Sequence, residues 1–481
     1  MARSAPGWAA PQATAAVSDT PAARALVWLL PAVIWYALLL CAGSTGLTAP
    51  VNHGLVFNSM LVHLLHGRFD VDPAAIGDEG YLRDGAVYAY FGIVPALFRL
   101  LFLPLKNFAT TDFTRLGCLV AVSLMALFKV LSVVVVARRA EPKKGAVLTS
   151  LLIAAILAGG AEVEFLRPSI FQEVSLWADA CAAAFVYLFL RGWQRDDGFT
   201  PRLLSLMALA AGLCLLTRVS TALGLYLALG FLWLRLVWCD ARDGALRRKL
   251  AMYAVPAAIL GGFILLTAAV NYERWGSPLV FVDLSRQVIA HTKYPDRLAR
   301  VRAYGEFNPV RLLYGLGYYF APVWMLRDGA GDMLWAAFRD RVFDSVELPP
   351  GSFFVTDPLL IGLGVCGLIG LRRREAGLRP ALVWPVLGGL AVPIVLILMA
   401  IALAYRYRLE FYPLLELLAF IGFARLVVSG GARARRWCAV GAVVSIVAAQ
   451  AMWVLSMLSP FGPVGGVVGK AGVVAFYRSL F

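Results

Sequence analysis

Two groups of carboxylates stand out in a chain otherwise poor in charge. The first is Asp70, Asp72, Asp78, Glu79 and Asp84, within a polar segment from Val51 to Leu105; the second is Glu162, Glu164, Glu173 and Asp179. A reaction that takes a proton from a hydroxyl and displaces a phosphate needs a positioned base, and cations to receive the departing charge. The acids are candidates for the base. Asp179 is the sharper case, because it sits inside the apolar run VSLWADACAAAF, where an ionisable side chain is costly and usually lines a cavity. Glu173 precedes it by six residues, which is about nine ångström along a helix axis. The pair predicts a shared site, with snorkelling or capping of the helix start as the alternative.

Asp70-Val71-Asp72 has the spacing to hold a divalent cation, magnesium or manganese, through oxygen ligands that would in turn grip a phosphate. His53, His63 and His66 lie in the same segment. For the cations, Arg406 and Arg408 alternate with tyrosines in AYRYRLEFYPLL, between two long apolar runs. Guanidinium forks match phosphate oxygens, and aromatic neighbours hold such side chains at headgroup level. Arg167 in FLRPSIFQE and Arg218 in LTRVS carry a similar signal.

These residues must be positioned by a membrane scaffold. Hydrophobic residues make up 60% of the 481 and charged residues 15%, far from the balance of a soluble domain. Runs long enough to cross a bilayer recur near 25–43, 113–137, 146–161, 176–190, 203–217, 222–238, 250–270, 359–371, 381–404, 409–428 and 438–458. The expected fold class is therefore all-α, a polytopic integral membrane protein with about eleven transmembrane helices. The stretch Leu203–Leu234 would be about 48 Å long as one helix, so it is expected to fold as a hairpin turning at Thr217–Ser220.

Basic clusters at Arg138–Lys144, Arg191–Arg202, Arg235–Lys249, Arg372–Arg379 and Arg425–Arg436 all fall on one side, which the positive-inside bias makes cytoplasmic. The net charge of +15 is then topological, and its scatter over five loops excludes a nucleic-acid surface. Residues 1–24 read as a disordered cytoplasmic tail and 25–481 as one membrane-embedded domain. Three polar regions face outward: 44–112, 162–175 and 271–358. They are expected to carry surface helices, among them GLVFNSMLVHLLHGRF, YFGIVPALFRLLFLPL and MLWAAFRDRVFDSV. Seven cysteines in or beside apolar runs form neither a disulfide framework nor a CxxC pair.

The chain resembles the C-type glycosyltransferase superfamily of polytopic enzymes that use polyprenyl-phosphate sugars, in particular bacterial protein-mannosyltransferase-like and aminoarabinose-transferase-like members. The resemblance rests on the first-loop run DG-x-x-Y-x-x-F-G-x-x-P-A-L beginning at Asp84, the acidic loop RPSIFQEVSLWADA, the LTRVSTALGL hairpin, NYERWGSPL and the YRYRLEFYPLL turn. It implies transfer of a lipid-phosphate-linked sugar to a lipid, glycan or protein acceptor at the periplasmic face of a bacterial inner membrane. Carried onto this sequence, it makes Glu173 or Asp179 the second-loop acid, with Asp84 and Asp70 as first-loop candidates for catalysis. Arg406 or Arg408 becomes the lipid-phosphate ligand, with Arg218, Arg167, His53 and Tyr88 as further substrate contacts. One departure is notable: where the family places an aspartate soon after the first span, this chain reads Val51-Asn52-His53, so either Asp70, Asp72, Asp78, Glu79 or Asp84 substitutes for it or Asn52 marks a variant mechanism. The rival readings are a lipid or glycan flippase without transferase activity, and a membrane scaffold.

Overall fold

A computed structural model describes residues 21–458, except 138–141, 196–197, 245, 322–342, 344, 347–350, 376 and 430. The protein is an all-α, multi-pass membrane protein. Each of the eleven apolar runs carries a helix: Pro21–Cys41, Thr114–Ala137, Pro142–Ala158, Ile170–Gln194, Pro201–Leu215, Val219–Arg242, Leu246–Trp275, Pro358–Arg372, Pro380–Met399, Tyr412–Ser429 and Ala432–Leu458. Among the described residues, seven helical stretches are long and apolar enough to cross a membrane. The hairpin expected within 203–234 is present, its first helix ending at Leu215 and its second starting at Val219.

Local chemistry sets several boundaries. The Thr200 hydroxyl accepts from the Leu203 amide at 3.3 Å and Pro201 follows at the first helical position, while Ser169 caps Ile170–Gln194 by accepting from the Phe171 amide at 3.2 Å. Packing between helices then depends on small residues, since lipid removes much of the hydrophobic drive for association. A Cβ added to Gly422 would lie 1.9 Å from the Leu363 carbonyl oxygen, and one on Gly367 would lie 2.2 Å from that of Leu418. Helices Pro358–Arg372 and Tyr412–Ser429 thus touch backbone to backbone.

The polar loops gather at one end of the bundle, and they differ from their expected form. GLVFNSMLVHLLHGRF forms a helix at Val56–Leu65, but its residues from Val56 to Leu61 are buried instead of lying on a surface. YFGIVPALFRLLFLPL is two short pieces, a helix at Val94–Phe98 and a 3₁₀ turn at Arg99–Phe102. The physical reason is Arg99, which turns fully into the core to meet an acid. Between these elements lies a hairpin, β1 (Tyr81–Arg83) paired antiparallel with β2 (Ala86–Tyr88). Its two-residue turn is Asp84-Gly85, with φ of 52° and 80°, the left-handed pair that a type I′ turn needs. The long loop contributes helices Val288–Thr292 and Asp296–Tyr304, while most of MLWAAFRDRVFDSV lies outside the described residues.

Candidate active site

Glu173 and Asp179 share a helix but not a site. Glu173 is fully buried in a two-pronged pair with Arg99, whose Nη2 donates to Oε2 at 2.8 Å and whose Nη1 donates to Oε1. The Arg99 guanidinium also lies 5.2 Å from the Phe57 ring. Asp179, itself buried, faces Lys129, Glu416, Glu410 and Glu162, and its Oδ2 has no hydrogen-bond partner among the described residues.

Lys129 is the centre of a buried triad. Its ammonium meets Glu162 at 2.8 Å and Glu416 at 2.6 Å. Beside it lies a second network, around Arg408. Its guanidinium donates to Glu164 at 2.5 Å, Asp357 at 2.8 Å, Thr356 at 2.7 Å and the Tyr405 hydroxyl at 2.9 Å, and it is wholly buried. A cavity of about 60 Å³ between the networks is lined by Lys129, Glu162, Asp357, Tyr412, Glu416 and Ser445, room for a few waters. Arg408 is therefore a buried clamp with both Nη groups engaged within the bundle. Glu162 and Glu164 are likewise buried, at the end of the apolar helical stretch Ala146–Glu164.

The first-loop acids are mostly held by neighbours. Asp70 receives Arg68 and lies 3.1 Å from His63 Nδ1; Asp72 accepts from the Ser59 hydroxyl at 3.1 Å, with His63 Nε2 3.5 Å away. Burial raises the Asp70 pKa, but the hydrogen bonds and charges of Arg68 and His63 outweigh it and hold the carboxyl below its ordinary range. This donor set does not fit a divalent cation, because a guanidinium already neutralises Asp70. Among the described residues no group of three His, Cys, Asp or Glu side chains converges as a metal site. Asp78 pairs with Lys293. Asp84, at the hairpin turn, is 80% exposed beside Arg83. His53 has a left-handed backbone, φ 59°, and its ring packs beside Gly77, while Asn52 is exposed.

Arg406 and Arg218 meet at a different place. The Arg406 guanidinium lies 4.8 Å from the Phe171 ring and 5.2 Å from that of Tyr407, and the Arg218 guanidinium lies 5.3 Å from the same Tyr407 ring. Arg218 is fixed by Glu410 at 2.5 Å and donates to the Ser175 hydroxyl at 3.2 Å. Glu410 accepts further bonds from Ser220 at 2.5 Å and Thr221 at 2.7 Å, so the hairpin residues of LTRVST hold the arginine in place.

From Arg406 a wall of rings runs into the first loop. Phe171 meets Phe91 at 5.6 Å, Phe91 meets Tyr90 at 4.4 Å, Tyr90 meets Tyr81 at 5.6 Å, and Tyr81 and Tyr88 close on Trp275 at 5.6 and 6.2 Å. Tyr90 lies within the fields of Tyr407, Arg406, Glu79 and Arg218, with burial the main cause of its raised pKa. It stays a neutral phenol able to donate. Arg167 stands apart, its guanidinium 5.8 Å from the Tyr405 ring on the Arg408 side.

The structure thus brings Arg406, Arg218 and Tyr88 to one aromatic-lined region and leaves Glu173, Asp179, Arg408 and Arg167 elsewhere. Sequence reasoning missed Arg99, Tyr90, Glu410 and Gln287. Arg99 had a readable signal, since it interrupts the apolar run PALFRLLFLPL.

No family model matches the sequence, and no curated protein matches it. Among solved structures, the oligosaccharyltransferase AglB of Archaeoglobus fulgidus, with an inhibitory peptide and a dolichol-phosphate, is 14% identical with TM-score 0.45, covering 89% of this chain and 55% of its own. The Archaeoglobus fulgidus oligosaccharyltransferase in complex with Zn and sulfate is 16% identical with TM-score 0.45, covering 88% and 52%. ArnT from Cupriavidus metallidurans, in the apo state, is 14% identical with TM-score 0.32, covering 90% and 79%. The chain spans about half the length of the archaeal oligosaccharyltransferase.

Proposed function

We propose that the protein transfers a sugar from a polyprenyl-phosphate donor to a lipid, glycan or protein acceptor, at the periplasmic face of a bacterial inner membrane. One observation carries this reading: two guanidiniums, Arg406 and Arg218, both stand beside the Tyr407 ring at the end of an aromatic wall, among the loops of a membrane bundle. Stacked guanidiniums present their forks in a fixed plane to phosphate oxygens. The rings of Phe171, Tyr90 and Tyr407 offer apolar faces for a sugar or a prenyl chain and phenols for its hydroxyls. The run beginning at Asp84 supplies Tyr90, the YRYRLEFYPLL turn Arg406 and Tyr407, the RPSIFQE loop Phe171 and the LTRVS hairpin Arg218, all segments on which the family resemblance rests.

In the reaction, an acceptor oxygen attacks the anomeric carbon while a carboxylate takes its proton. The carbon–oxygen bond to phosphate breaks, and the electron pair leaves on the phosphate facing Arg406 and Arg218. One direct displacement inverts the anomeric centre. No step needs the cation expected at Asp70-Val71-Asp72, whose carboxylates are already engaged.

The test is release of polyprenyl phosphate from labelled polyprenyl-phosphate sugars by the purified protein. Arg406→Ala should cut turnover about 100-fold or more by removing leaving-group stabilisation. Equal turnover in wild type and variant would refute the site, and movement of intact donor across a vesicle bilayer without its cleavage would favour the flippase reading.

A further inference from the structure

We propose that Glu79 is the base that deprotonates the acceptor and that Gln287, held by Arg297, is its positioning residue; this rests on the transfer reading above. Every other first-loop acid is engaged or remote. Asp70 has Arg68 and His63, Asp72 has Ser59, Asp78 has Lys293, and Asp84 projects from the hairpin turn. Glu79 is half-buried and stands two residues before Tyr81, whose ring meets that of Tyr90 at 5.6 Å. Tyr90 in turn feels Arg406 and Arg218. The acid and the phosphate cations thus both lie within the electrostatic reach of one phenol.

The Gln287 side chain is oriented without ambiguity. Arg297 Nη1 donates at 2.8 Å to Gln287 Oε1, and a guanidinium has no acceptor, so the amide oxygen must face it. The amide nitrogen is left to donate to Glu79 Oε2, at 3.4 Å. The Gln287 backbone is fixed on the same side by its bridge to Tyr81 and by the Val288 amide, which donates to the Gly80 carbonyl at 2.9 Å. One carboxylate oxygen is steadied and the other is left for an acceptor hydroxyl. On attack, the acceptor's proton passes to Glu79 as the new carbon–oxygen bond forms, and the bond to phosphate breaks with its electrons on the departing polyprenyl phosphate. The carboxyl then returns its proton to water.

The test uses the purified full chain in lipid nanodiscs, with labelled decaprenyl-phosphate mannose, glucose and aminoarabinose as donors, and membrane lipid extract and serine-containing peptides as acceptors. Glu79→Gln, close in shape to the native residue, should lower turnover about 100-fold or more while keeping wild-type affinity for decaprenyl phosphate. Glu79→Asp should restore part of the rate. Gln287→Ala frees the carboxylate to turn away from the acceptor, so it should lower kcat while leaving the KM for the lipid-phosphate donor unchanged. Wild-type turnover in Glu79→Gln overturns the base assignment and leaves the transfer reading standing. A wild-type kcat in Gln287→Ala overturns the positioning role. Release of lipid phosphate from no donor by the wild type overturns both the inference and the reading beneath it.

Discussion

Glu173 and Asp179 lie on one helix six residues apart, yet their neighbours give them different roles. Glu173 is locked to Arg99, so Glu173→Ala leaves a guanidinium buried without its counter-charge. That should cost about 3–5 kcal/mol of stability. The double variant Arg99→Met, Glu173→Leu should recover most of it, read as thermal unfolding in detergent; a Glu173→Ala protein that melts like wild type would remove the structural role. Asp70 gives a pH signature. Its folded-state pKa is depressed, so its pairing stabilises the protein above the ordinary carboxylate range and is lost as pH falls through the lowered value. The melting-temperature difference between wild type and Asp70→Asn should hold from neutral to mildly acid pH and vanish in strong acid. A difference that grew with acidity would contradict the sign.

At the scale of elements, helix contacts depend on glycines at two kinds of place. A Cβ added at Gly422 would fall 1.9 Å from the Leu363 carbonyl oxygen, and backbone cannot yield as a flexible side chain does. Gly422→Ala should therefore cost about 1–3 kcal/mol through overpacking. Gly262 has nothing within 4 Å of an added Cβ, so Gly262→Ala should leave the melting temperature unchanged or raise it slightly. Comparing the two melts checks the crossing. The helices themselves were legible in the sequence, because length and apolarity are local properties. The hairpin at Asp84-Gly85 was equally local, a D-G pair between Tyr81–Arg83 and Ala86–Tyr88, but in an all-α reading its turn aspartate stood as a candidate acid.

At the scale of the molecule, the two longest loops close over one another. Val288 and Gln287 pair with Gly80 and Tyr81, Lys293 pairs with Asp78, and Arg83 Nη1 donates to the Glu273 carbonyl at 3.2 Å. The bundle's two ends should then face different compartments. In a cysteine-free background, His66→Cys in the first loop should react with a membrane-impermeant thiol reagent in intact cells, and Arg374→Cys should react only after lysis. Labelling of Arg374→Cys in intact cells would invert the orientation and the proposed placement of the site.

The sequence alone determined the spans, the hairpin within 203–234 and the grouping of polar loops, because a hydrocarbon core demands apolar runs that can be counted along the chain. Only the tertiary structure decided which acids meet which cations. Glu173 finds Arg99 from 74 residues away and Glu164 finds Arg408 from 244. A guanidinium selects its partner by proximity in three dimensions, and in low dielectric that partner consumes the carboxylate's charge. Acids that look alike in sequence thus separate into buried clamps such as Glu173 and Glu164, loop pairs such as Asp70 and Asp78, and Glu79 at the foot of the aromatic wall.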